Sequence, residues 1–332
     1  MLNSLLEQHR EIDRVRYSVR ANHAPMVLIA LHRLGAADAN LENYYSGLEV
    51  EVQEPYSVTP NIDAEKWTQH IGELKAASAY CRFFESEIDR IGSEATLRMY
   101  LARLMPGVAA HAFHPLLRVG YGIDLGDEKE VAFGLGYWAA TYLPSPDIPL
   151  DGESIDPSES LKIFSNIPSL RELKPSSQSI AKRIDQLYSH EDFRNALRPI
   201  RFGLEHPLEE ISSLICDAFV EYHHFAMLHG VTSCHALRNV LPYCTEKRKA
   251  LNEYWCAVCA TYLSVVNLSG DMSRPLPEGK LDWQAIRKRS IETEIEHTIK
   301  FAFTAEQECK EYGRDVYRQM AIREIENAAP FF

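Results

Sequence analysis

Helical periodicity recurs along almost the whole of this 332-residue chain, and strand-like alternation is scarce. That pattern limits the fold more than any composition value does. A helix-spaced apolar stripe must bury its face against another helix, so a chain built of such stripes closes into helix-on-helix layers. Residues 24–34 carry Met26, Val27, Ile29, Ala30, Leu31 and Leu34, then meet a stop signal at Gly35. Residues 64–91 carry Trp67, Ile71, Leu74, Ala77, Tyr80, Phe83, Phe84 and Ile88 at helical spacing. Helices are also expected over 94–105 and 109–119, broken by Pro106-Gly107, and over 128–142. The pattern resumes over 179–188, 208–230, 232–241, 247–268, 283–304 and 305–327. The expectation is an all-α fold, a large helical domain of about ten to fourteen helices of about a dozen residues each.

From Pro144 to Ser179 the chain turns polar and rich in Pro, Ser and Asp, as a connection or a lid does. Leu161, Ile163 and Phe164 within it predict that it is docked rather than free. Residues 1–332 therefore read as one helical domain, or as two fused lobes, 1–143 and 180–332, joined by 144–179. No internal repeat or low-complexity segment interrupts this reading.

Composition removes several function classes. A hydrophobic fraction of 45% with 25% charged residues suits a soluble globular protein. The net charge of -12 argues against nucleic acid and against anionic lipid as partners, since both need concentrated Lys and Arg. The N-terminus lacks the basic and apolar regions of a secretory signal, and no apolar run approaches the roughly 20 residues of a membrane helix. Seven cysteines without a dense framework read as reduced thiols, so a cytoplasmic location is expected. Cys256 and Cys259 form a C-x-x-C with no second pair, read as core packing.

The chemistry-bearing candidates are few. His23, His114, His229, His297 and Lys300 each lie in or beside an apolar helical stretch, spread from one end of the chain to the other. His297 and Lys300 are three apart and share a helical face. Lysine is rarely buried unless it is paired or working, and imidazoles drawn from distant helices suit a metal. His111 stands three before His114, so either could face the ion. His223, His224, His229 and His235 crowd together, with His229 beside Gly230, where a helix is expected to stop. The plainer readings are His23 as a core or capping histidine with Asn22 as N-cap, and Glu296–Lys300 as an i,i+4 pair on a solvated face. His9, His70, His190 and His206 read as surface residues.

Two metal arrangements compete. One is a single ion held by several imidazoles with an open position. The other is a di-iron bundle using two Glu-x-x-His units, here Glu221–His224 and Glu294–His297. A third reading is a helical binding protein without catalysis. No dinucleotide fingerprint, P-loop, nucleophile elbow or H-E-x-x-H is present.

Four segments together carry a resemblance. Asn22-His23 runs into Ala30-Leu31-His32-Arg33-Leu34-Gly35-Ala36; Phe113-His114-Pro115-Leu116-Leu117-Arg118-Val119-Gly120-Tyr121-Gly122 follows. Met227-Leu228-His229-Gly230-Val231-Thr232-Ser233 and Glu296-His297-Thr298-Ile299-Lys300 complete the set. In this order they resemble the questin oxidase family, with its N-H opening, "H-P-L-I-H-L-G-Y-G", "M-H-x-V-T-S" and "E-H-x-x-K" segments. The resemblance implies an all-helical, non-haem iron oxygenase that opens or cleaves a ring of a polycyclic aromatic or quinone polyketide. It implies dioxygen as co-substrate, a Baeyer–Villiger-like founding activity and use of NADPH. It also implies iron held by four histidines and a carboxylated lysine, which on matching positions are His23, His114, His229, His297 and Lys300. The chain departs from the pattern at Arg118, where the family has a second histidine, so His111 and His235 stand as alternative ligands; Met26 stands at another such position.

The lysine role has a physical basis. Burial and a nearby cation disfavour the ammonium, and a neutral amine can add carbon dioxide to give an anionic carbamate ligand. Glu296 is expected to orient an imidazole through its other nitrogen. Arg118 is expected to stabilise anionic oxygen on the substrate, against a plainer reading as a surface ion pair. Tyr121, Tyr137, Trp138 and Phe225 are candidates to wall a flat pocket, against a plainer reading as core.

Overall fold

The computed structural model describes residues 1–15, 23–48, 60–203, 206–266, 275–277 and 279–327. Among them there are 17 α-helices, and the one β feature is an isolated bridge between Ile155 and Ile200. The N-terminal part supplies α1 (Leu2–Val15), α2 (Ala24–Leu34), α3 (Asp38–Ser46), α4 (Ala77–Ile91), α5 (Ser93–Leu104), α6 (His114–Leu125) and α7 (Glu128–Ala140). The segment 144–179 contributes α8 (Pro157–Ser165) and α9 (Pro168–Arg171). The rest is α10 (Ile180–Ser189), α11 (Glu191–Ala196), α12 (Glu209–Tyr222), α13 (Phe225–Val240), α14 (Lys247–Val266), α15 (Trp283–Glu292), α16 (Glu296–Tyr312) and α17 (Val316–Glu326).

The all-α expectation holds, but the helix count exceeds ten to fourteen. Short helices form where no periodic stripe is long enough to be read. Proline starts α8 and α9 by pre-setting φ at the first turn, and α11 has a single buried residue, Phe193. Two boundaries also move. α12 ends at His223, which takes the left-handed conformation at φ 42°, so α13 runs unbroken through Gly230. His229 therefore does not end a helix. Likewise α16 continues past Ala305 until Gly313 closes it at φ 65°. Residues 64–76 form two short 3-10 turns before α4 rather than one long helix.

Elsewhere local chemistry and structure agree. α2 has Pro25 in its first turn and Gly35 at φ 88° as its left-handed stop. The Asp127 side chain caps α7 by accepting from the Glu130 N–H. The segment 144–179 is docked: Phe164 is buried and its ring lies 4.8 Å from that of Phe193. Cys256 and Cys259 lie buried on α14, as core residues. His9 corrects its surface reading, being buried with its ring edge-on to Tyr45. No helix among the described residues is long and apolar enough to cross a membrane.

Four helices matter for the site. α2, α6, α13 and α16 pack on one another, α6 against both α2 and α13, and α16 against the same two. The α6–α13 crossing is close because Gly120 faces Ala236, where a Cβ would lie 2.7 Å from the alanine Cβ.

Candidate metal centre

All four helices present their first turns to one place. His23 is the N-cap residue of α2, His114 opens α6, His297 is the second residue of α16, and His229 lies one turn into α13. Peptide dipoles give helix N-termini partial positive charge. That charge disfavours imidazolium and favours an anionic group among the rings. Asn22, expected as the N-cap of α2, lies outside the described residues.

The rings meet at contact distance. His23 stacks on His114 with centroids 4.7 Å apart, and His297 stands edge-on to His23 at 4.6 Å. His229 completes the ring of rings, 4.9 Å from His114 and 5.3 Å from His297. Among the described residues, His23, His114 and His297 form a group whose ligand nitrogens all lie within 4.8 Å of one another. Lys300 joins them from one turn further along α16, only 3% exposed.

Three of the four imidazoles have their far nitrogen tied down. His23 Nδ1 lies 2.6 Å from Glu296 Oε2, His114 Nδ1 lies 2.5 Å from the His111 carbonyl oxygen, and His229 Nδ1 lies 2.9 Å from the Phe225 carbonyl oxygen. A carbonyl or carboxylate oxygen can only accept, so all three rings carry their proton on Nδ1. Their Nε2 lone pairs are left for the centre. His23 Nε2 and His114 Nε2 then face each other at 2.7 Å. Two lone pairs at that distance repel unless a cation lies against both. Nitrogens each about 2.1 Å from one ion, at a right angle, would lie about 3 Å apart. His229 Nε2, His297 Nε2 and Lys300 Nζ are buried and have no hydrogen-bond partner among the described residues.

The electrostatics keep these bases neutral. Burial pushes His229 down to about 3, and the Lys300 charge adds to it. Burial and the neighbouring cations put His114 and His297 well below the usual imidazole range. His23 is lowered by burial and by Lys300, against the pull of Glu296. Burial also lowers Lys300 to about 8, with Glu296 opposing. Burial raises Glu296, but its bonds to His23 and Tyr44 outweigh that and hold it at about 2. A neutral imidazole is the ligating form, and a lysine at about 8 has a reactive amine fraction.

The acceptor for His114 comes from strained backbone. His111, Ala112 and Phe113 take φ 43°, 56° and 67°, three left-handed residues in a row with no glycine among them. Each costs about 1–2 kcal/mol in that region. The turn aims the His111 carbonyl at the next ring, while the His111 ring itself goes to Tyr137, 3.0 Å from its hydroxyl. His111 is thus beside the centre without entering it. His235 is elsewhere, bonded to Glu308 at 3.1 Å.

Arg118 is not a substrate-facing group. It is 1% exposed, with Nη1 2.8 Å from Asp13 and Nε 2.9 Å from Glu130, so its charge is spent inside the fold. It is no surface pair either. Tyr121, Tyr137 and Trp138 are fully buried core, whereas Phe225 is half-buried and edge-on to His229 and His297, 4.5 Å from each. The di-iron arrangement lacks its carboxylates: Glu221 and Glu294 are exposed, and His224 caps α13 by accepting from the Ala226 N–H. Sequence reading missed Tyr44, whose hydroxyl donates to Glu296 Oε1 at 2.7 Å. Nothing in its neighbourhood on α3 marks it, since the bond spans 252 positions.

A fungal Baeyer–Villiger oxidase, ptaJ of Pestalotiopsis fici, is 26% identical over 141 residues, covering 36% of this chain and 30% of that protein. The chain thus matches less than a third of that relative's length. The family model described as questin oxidase-like matches residues 21–304, a span that contains His23, His114, His229, His297 and Lys300. On that match, the chain belongs to the questin oxidase-like family of oxidoreductases.

Proposed function

We propose that the chain is a non-haem, iron-dependent oxygenase that opens or cleaves a ring of a polycyclic aromatic or quinone polyketide with dioxygen. One observation carries the metal: two Nε2 atoms face each other at 2.7 Å while their Nδ1 protons are held elsewhere. The orphaned Nε2 atoms of His229 and His297 fit the same ion. Imidazole alone suits zinc and copper as well as iron; the choice of iron rests on the resemblance of the four sequence segments. When bound, iron supplies dioxygen activation next to a ring carbonyl. The name of the fungal relative, a Baeyer–Villiger oxidase, supports insertion beside a carbonyl. Such an insertion takes two electrons, for which NADPH is the proposed donor; a dioxygenative C–C cleavage takes none.

The residues divide the remaining work. His23, His114, His229 and His297 hold the ion as neutral bases. Lys300, as the free amine, adds carbon dioxide: an N–C bond forms, one proton leaves, and an anionic oxygen ligand results. The converging helix N-termini favour that anion. Glu296 keeps the His23 ring oriented. Phe225 offers an apolar edge to a flat ring.

Metal analysis of the purified protein tests the proposal. One iron per chain is expected; two would restore the di-iron reading, and none after anaerobic reconstitution would leave a non-catalytic binding protein. Lys300→Ala is expected to lose metal and activity together. Unchanged iron content in that variant removes the lysine from the centre.

A further inference from the structure

We infer that Tyr44 is a positioning residue of the centre, acting through Glu296 to hold His23 in its ligating tautomer. The inference rests on the metal reading above. A carboxylate offers two oxygens, and here both are committed. Oε2 takes the His23 proton at 2.6 Å and Oε1 takes the Tyr44 proton at 2.7 Å. The three residues stand on three elements: Tyr44 in α3, Glu296 at the start of α16, His23 at the head of α2.

Glu296 needs such a clamp because it is not sealed in. Its side chain is 30% exposed, against 16% for His23. A carboxylate on a helix's first residue, open to water on one side, is free to swing toward solvent and leave the imidazole proton without an acceptor. The half-buried phenol replaces mobile water with one fixed donor and pins the carboxylate plane. With Oε2 held toward Nδ1, the His23 lone pair is held toward His114 and the ion. Outer hydrogen bonds of this kind govern ligand orientation, and their removal costs about 10–100-fold in metal affinity.

Titration with Co(II), in the presence of bicarbonate, tests this on the full chain and needs no substrate. Four proteins are compared: wild type, Tyr44→Phe, Glu296→Gln and the double variant. Tyr44→Phe removes one oxygen and keeps the ring, so its melting temperature without metal is expected to match wild type. Its Co(II) affinity is expected to fall about 10–100-fold, with a shift of the visible ligand-field band. Because Tyr44 acts through Glu296, the double variant binds no more weakly than Glu296→Gln alone. A Tyr44→Phe protein with wild-type affinity and spectrum overturns the inference. So does a double variant whose losses add, since Tyr44 then acts by another route. Wild-type protein that binds no Co(II) overturns the metal reading itself.

Discussion

Two buried polar clusters meet the same helix one turn apart and follow opposite rules. His114 opens α6 and faces three other imidazoles and a lysine; Arg118, four residues on, faces Asp13 and Glu130. In the second cluster opposite charges pair. Glu130 takes Arg118 on one oxygen and Arg10 on the other at 2.9 Å each, and Arg10 also reaches Asp127 at 3.1 Å. The cluster ties α1, α6 and α7 together. In the first, lone pairs face lone pairs and a buried amine has no partner among the described residues. Opposite charges at bonding distance satisfy one another; bases that face only other bases are tolerated where a ligand completes them.

The contrast can be broken by substitution. Arg118→Ala takes the shared cation away from buried Asp13 and Glu130 and is expected to cost about 3–5 kcal/mol, read by denaturant unfolding, with iron per folded chain unchanged. Loss of iron from the folded variant would tie Arg118 to the centre after all. Lys300→Met should do the reverse: metal is lost, but the metal-free protein gains stability near neutral pH. A lysine lowered from 10.5 to about 8 destabilises the metal-free fold by roughly 3 kcal/mol below pH 8, at about 1.4 kcal/mol per unit. Its penalty is absent above pH 10.5, grows as pH falls to about 8, and then levels off. A metal-free Lys300→Met protein less stable than wild type at pH 7 would show that the ammonium is paired.

Acid sharpens the comparison further. The histidines of the centre have folded values below the unfolded 6.5, so the unfolded chain binds protons first as pH falls. Metal-free stability is therefore expected to drop below pH 6.5, by up to about 1.4 kcal/mol per imidazole per pH unit. A flat profile between pH 6.5 and 5 in metal-free protein would mean that the rings are solvated. The smallest effect concerns the strained turn. At Ala112, φ 56°, valine is expected to cost about 1–2 kcal/mol and glycine to be neutral or mildly stabilising. Equal melting temperatures for Ala112→Val and Ala112→Gly would mean that the turn is not left-handed.

Much of the fold was readable because periodicity is local. α2 coincides with the expected 24–34, and α7 runs 128–140 within the expected 128–142. Where reading failed, the deciding partner was remote or the element too short for a stripe. The His223 break has no glycine or proline to announce it, and Gly230 draws the expected boundary instead because glycine usually stops helices. Arg118 is expected from sequence to face anionic oxygen on a substrate because it is a cation beside the candidate ligands. Its partners Asp13 and Glu130 lie 105 and 12 positions away, on other helices.

The amino-acid order by itself settled that this chain is helical and which five side chains were worth watching, since residue type and 3.6-residue spacing are properties of neighbours. Tertiary structure alone decided that His23 meets Glu296 across 273 positions, that His114 borrows a carbonyl from a left-handed turn, and that Tyr44 closes the far side of the carboxylate. The physical reason is reach: hydrogen bonds act over about 3 Å of space, and no pattern along the chain records which distant groups packing brings within that range.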